Sequence, residues 1–118
     1  YTAGLIEVAL KKHISDRTNW QRMLKNQLIE GVDLTLAKKD MIAHLPSELL
    51  NYISEKNDIT EIHYPVNEYP NKVKSLSFDK LEEITGCLWG VKGQYLIFDD
   101  GTVLNMRKHT GYMVELEI

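Results

Sequence analysis

The stretch Gly90-Val91-Lys92-Gly93-Gln94-Tyr95-Leu96-Ile97-Phe98-Asp99-Asp100-Gly101-Thr102-Val103-Leu104-Asn105-Met106-Arg107-Lys108-His109-Thr110-Gly111-Tyr112 decides how the 118-residue chain is read. Two runs rich in β-branched and aromatic residues flank Asp100-Gly101, which is a hairpin signal, and Gly93 and Gly111 add further turns. If Asp100-Gly101 is a two-residue loop, Phe98 faces Val103 and Gln94 faces Arg107. If Asp99-Asp100-Gly101 forms a three-residue loop with a glycine bulge, Leu96 faces Leu104 and Tyr95 faces Asn105. The second register separates apolar from polar faces better, placing Leu96, Phe98, Leu104 and Met106 in the core. Residues two apart on a strand point the same way, so Asn105, Arg107 and His109 share one side, and Tyr95 joins them in the bulged register.

Working outward, the C-terminal half keeps the period of two, with turn signals every eight to twelve residues. The expected strands are Glu61–Val66, Lys72–Phe78, Glu83–Val91, Gln94–Asp99, Thr102–Lys108 and Tyr112–Ile118. In the last, Tyr112, Val114, Leu116 and Ile118 alternate with Met113, Glu115 and Glu117. Six short sequential strands close readily, because closure removes their edges. Residues 57–118 are therefore expected to form a small antiparallel six-stranded β-barrel.

The N-terminal half has the helical period instead. Leu5, Ile6, Ala9, Leu10, His13 and Ile14 form a stripe, flanked by a Glu7–Lys11 pair four residues apart. Thr18-Asn19-Trp20-Gln21 is a capping-box pattern that announces a second helix, with Trp20, Met23, Leu24 and Leu28 on one face and Gly31 as its stop. Asp33 or Thr35 can cap a third helix running to His44. Pro46 then suits the first turn of a fourth, to about Glu55, which buries Leu49, Leu50 and Ile53. The expected class is α+β: about four helices in residues 1–56, the end of an upstream domain, then the barrel.

Composition sets the limits. The hydrophobic fraction is 43% and the charged fraction 26%, as in ordinary globular domains. Fourteen basic residues against 17 acidic ones give a net charge of -3, too balanced for blanket attraction to phosphate. Residues 1–56 hold 8 basic and 7 acidic side chains, and residues 57–118 hold 6 and 10, so the expected barrel is the acidic part. Cys87 is the single cysteine, which excludes an intramolecular disulfide and favours a cytoplasmic location. No apolar run approaches the roughly 18–20 residues of a membrane span. The chain opens on Tyr1 and enters helix at once, so it reads as part of a longer protein.

An aromatic, an amide, a guanidinium and an imidazole on one strand face suit an anionic or planar ligand. The candidate ligand-binding residues are Tyr95, Asn105, Arg107 and His109, with Lys92 and Tyr112 at the edge. Outward polar residues on an antiparallel strand are ordinarily just solvated, which is the competing explanation. His109 has no identifiable nucleophile or orienting carboxylate beside it, so no catalytic residue is assigned. His13 lies on an apolar stripe and reads as packed, and His44 and His63 are isolated. Without a His-x-x-x-His or Cys-x-x-Cys pair, neither a metal site nor a cofactor is expected from this chain alone. Trp20 and Trp89 read as packing residues, and Lys11-Lys12 and Lys38-Lys39 as solvated faces.

Gly4-Leu5-Ile6-Glu7-Val8-Ala9-Leu10-Lys11, Asp16-Arg17-Thr18-Asn19-Trp20, Tyr64-Pro65-Val66 and the motif from Gly90 to Tyr112 resemble the C-terminal part of the prokaryotic family called Domain of Unknown Function 2797. The resemblance spans nearly the whole chain and implies an upstream Cys-rich, zinc-ribbon-like segment. It brings no established activity. That absent region looks somewhat like the strand portion of GIY-YIG nucleases, an analogy that would make Glu7, followed by Asn19, the candidate metal ligand. The GIY and YIG strands and their arginine are not in this chain. The sequence thus leaves three functions: a noncatalytic module binding an anionic ligand, foremost nucleic acid; part of a metal-dependent nuclease; or a structural and oligomerisation domain.

Overall fold

A computed structural model describes residues 1–115 and 117–118. The chain forms two compact units, Tyr1–Asn19 with Leu28–Glu61, and Trp20–Gln27 with Ile62–Ile118. The class is α+β. No helix among the described residues is long and apolar enough to cross a membrane.

The helical unit contains α1 (Thr2–Leu10), α3 (Leu34–Ile42) and a 3-10 segment, Ser47–Tyr52. Asp33 caps α3 as expected: its Oδ1 accepts from the N–H groups of Thr35 at 2.8 Å and Leu36 at 3.0 Å, two of the donors a helix start leaves free. The helix expected after Pro46 is a 3-10 segment with Pro46 at its N-cap, and it buries Leu49. Lys11 pairs with Asp16 at 2.8 Å, not with Glu7. Lys38 donates to the carbonyls of Ser54 (2.7 Å) and Lys56 (2.8 Å) and to Asn57 Oδ1 (3.0 Å), fastening α3 to the loop that follows the 3-10 segment.

The second unit is built on four strands: β1 (Lys74–Leu76), β2 (Leu88–Lys92), β3 (Tyr95–Phe98) and β4 (Thr102–Asn105). Their order is β1-β4-β3-β2. The β3–β4 hairpin takes the bulged register, with Tyr95 opposite Asn105, Leu96 opposite Leu104 and Ile97 opposite Val103. The loop explains the choice: Gly101 sits at φ +81°, its N–H donates to the Phe98 carbonyl, and Asp100 Oδ1 accepts from the Thr102 N–H. A β-carbon on Gly101 would come within 2.5 Å of the Lys72 carbonyl oxygen.

The expected six-stranded antiparallel barrel is not formed; the sheet is open and mixed. β1 lies parallel to β4 and occupies the edge onto which the chain after β4 would have had to fold back. Tyr112–Ile118 accordingly makes no strand among its described residues; Leu116 lies outside them. The expected first strand, Glu61–Val66, shrinks to a bridge between Val66 and Gly90, extended by Asn67 N–H to Trp89 O (2.8 Å) and Val91 N–H to Pro65 O (2.9 Å). Gly90 permits that approach, since a β-carbon there would stand 2.8 Å from Val66 Cα.

Both sheet faces are covered. On one, Tyr95, Ile97 and Val103 pack against Leu24 of α2 (Trp20–Leu24), with Trp20, Met23, Val66 and Val73 around them. On the other, Phe98 and Leu104 are buried. The core expectation therefore needs correction: Met106 is exposed, and the Tyr95 face is as buried as the Leu104 face. A continuous run such as Tyr95-Leu96-Ile97-Phe98 is the pattern of a strand covered on both sides.

Candidate functional site

β4 ends at Asn105, and Met106–His109 is a 3-10 segment. A 3-10 turn has three residues per turn, so the strand alternation that would align Asn105, Arg107 and His109 stops after its first member. Arg107 and Lys108 are exposed, whereas His109 is buried at 6% exposure.

Each ring nitrogen of His109 is engaged. Nδ1 lies 3.0 Å from the Asn105 carbonyl oxygen, an acceptor only, so Nδ1 carries the proton and donates. Nε2 is then the acceptor, taking the Phe78 N–H at 3.1 Å and the Ser77 hydroxyl at 3.3 Å. Phe78 and Tyr112 meet the imidazole edge-on, with ring centroids 5.2 and 5.3 Å away. His109 thereby ties the turn after β4 to the turn after β1. The Tyr112 hydroxyl donates to the Asp79 carboxylate, which also accepts from Ser77 Oγ at 3.1 Å. Those two bonds, Tyr112 first, hold the Asp79 carboxyl below its usual range, and the Asp79 carboxylate raises the Tyr112 phenol above its own.

Lys92 is the second buried polar side chain, also 6% exposed. Its ammonium donates to the Met23 carbonyl at 3.0 Å and to Asn26 Oδ1 at 3.2 Å, and it stands 5.0 and 4.7 Å from the centres of the Tyr64 and Tyr69 rings. Asn26 adopts φ +54° just past α2, a position where Asn tolerates left-handed geometry. A cation at a helix C-terminus meets the negative end of the dipole, so Lys92 fastens α2 to the sheet. The ring of Tyr95 stacks on Trp20 at 6.0 Å, while its hydroxyl accepts from Asn105 Nδ2 at 3.3 Å and Asn105 Oδ1 accepts from Gln94 Nε2 at 3.0 Å.

Of the six candidate residues, the structure joins Tyr95 to Asn105 and brings Tyr112 against His109; Lys92 serves α2, and Arg107 points to solvent. They do not form one open face. Glu7 is exposed on α1, and no group of three metal-ligating side chains occurs among the described residues. No local pattern marks the paired roles of Ser77 and Asp79, because the parallel β1–β4 pairing is what brings them to His109 and Tyr112. His13, expected to be packed, is exposed and stacks on His44 with centroids 3.6 Å apart.

The family model described as protein of unknown function, DUF2797, matches residues 1–114. No curated protein and no solved structure matches the chain.

Proposed function

The chain belongs to the DUF2797 family of proteins of unknown function, and from that premise we propose that it is a noncatalytic interaction module whose Gly90–Tyr112 motif is architectural. The observation that carries this is the internal engagement of Lys92 and His109, two of the six candidate residues. A buried ammonium or imidazole whose nitrogens are already bonded inside gains little by turning to a ligand, since it would first leave those partners unpaired.

The contact surface is assigned to the helical unit and to a second copy of the chain. Neither α1 nor α3 has a buried residue, while Leu5, Val8, Leu34 and Leu36 are exposed. Helices of nine residues draw their stability from packing rather than propensity. α1 carries the acidic Glu7 and α3 the basic Lys39, opposite charges that a two-fold pairing can bring together. Sedimentation velocity over a concentration series is expected to show a dimer, and Leu5→Asp with Val8→Asp a monomer of unchanged circular dichroism. A monomer at every concentration overturns the assignment.

Nucleic-acid or other anion binding rests on a separate observation: Arg107 and Lys108 are adjacent and exposed. At low salt, single-stranded RNA would then bind and Arg107→Ala would weaken it; equal anisotropy curves for the two proteins remove that function.

A further inference from the structure

The sheet unit has a groove that Tyr112 lines and the other five candidate residues do not. It lies between the turn after β1 and the segment after the terminal 3-10 turn, and its volume is about 330 Å³, near the lower end of the roughly 300–1,000 Å³ typical of ligand sites. Phe78, Leu81, Ile84, Met113 and Val114 are its apolar lining residues. Glu82, Glu83 and Glu115 line it beside them, and no Lys, Arg or His does so among the described residues. The walls are held at one end by the Tyr112–Asp79 bond and the His109 contacts with Phe78 and Tyr112. They are thus fixed relative to each other before anything binds, which lowers the ordering cost of association.

We propose that this groove is a docking site for a segment of a partner protein in which basic side chains alternate with apolar ones. The occupant follows from the lining. Apolar side chains of the partner would pack on the apolar lining residues, and lysine or arginine heads would meet the three glutamates among them. An acidic segment, such as a phosphopeptide, or nucleic acid would face three like charges. Charges at an interface act mainly on association rate and partner choice, so occupancy weakens as salt rises. The site is distinct from the surface assigned above to self-association, which lies on the helical unit, and either can fail without the other.

The test uses the whole chain and blocked hexapeptides of alternating leucine and arginine, glycine and arginine, and leucine and glutamate, titrated by calorimetry at low salt. The leucine–arginine peptide is expected to bind saturably, the glycine–arginine peptide at least tenfold more weakly, and the leucine–glutamate peptide not at all. Glu82→Lys with Glu83→Lys should weaken the first by at least tenfold, and Glu115→Lys serves in its place should that variant not fold. Absence of saturable binding, equal affinity for the variant, or equal affinity for the acidic peptide overturns the proposal.

Discussion

Replacing His109 by alanine removes four things at once. The Phe78 N–H loses its acceptor, the Asn105 carbonyl loses the Nδ1–H, the Ser77 hydroxyl loses a partner, and the Phe78 and Tyr112 rings lose the edge they pack on. A buried donor left unpaired costs about 1–3 kcal/mol, and each aromatic contact contributes about 0.5–1.5 kcal/mol. Partial exposure of Phe78 lets water reach its freed N–H, which puts the total at about 3 kcal/mol rather than at the sum of the upper values. The assay is urea unfolding followed by tryptophan fluorescence, because Trp20 and Trp89 both belong to the sheet unit and report it alone. His109→Gln places an amide oxygen where Nε2 stood and restores the acceptor but not the Nδ1–H donor. It is expected to lose about half as much. A loss for His109→Ala within about 0.5 kcal/mol, the range of ordinary surface substitutions, would refute the assignment of this side chain as a tie between the two turns.

Three further outcomes follow from the same geometry. Lys92→Met deletes two charge-assisted bonds to the end of α2 while regaining the desolvation of an ammonium, for a net loss of about 1–3 kcal/mol; hydrogen exchange should quicken through residues 20–27 more than in β3. Gly101→Ala faces both a left-handed φ and a carbonyl at 2.5 Å, whereas Gly93→Ala has φ +58° and open space. The second should cost about 1 kcal/mol and the first at least twice that, and equal denaturation midpoints would contradict the loop geometry. Asp79 has a lowered folded pKa, so its contribution to stability is complete above the usual carboxylate value near 4 and is lost as pH falls through the folded value. Tyr112 has a raised one, so its contribution is complete below about pH 10 and is lost at higher pH. Carbon-13 titration of the Asp79 carboxyl should give a depressed midpoint that returns upward in Tyr112→Phe, and an unmoved midpoint would mean that the bond is absent.

What the sequence revealed was local. Asp33 before an apolar helical run is a cap on any tertiary background, and Asp99-Asp100-Gly101 selects the bulged register because glycine supplies the positive φ that the loop needs. The family was legible from the motif between Gly90 and Tyr112 and from the helical runs before it. What it concealed depended on distant pairing. The alternation in Tyr112–Ile118 suits a strand, yet β1 already holds the only free edge of β4. Arg107 and His109 stand two apart, which implies one face only while the strand continues, and the 3-10 turn after Asn105 ends it. Lys92 ends an apolar strand and reads as the edge of a ligand face, since nothing local shows that α2 and two tyrosines surround it. The expected common face of Asn105, Arg107 and His109 is therefore not formed.

The Gly90–Tyr112 motif is held by partners inside the protein, and nitrogen-15 NMR of the His109 ring, together with exchange of the Phe78 amide, reads that engagement at its tightest point. A neutral ring protonated on Nδ1, with the Phe78 amide among the slowest to exchange and neither signal moved by added RNA, is the predicted result. A ring protonated on Nε2, or a Phe78 amide exchanging as fast as those of exposed loops, would contradict it.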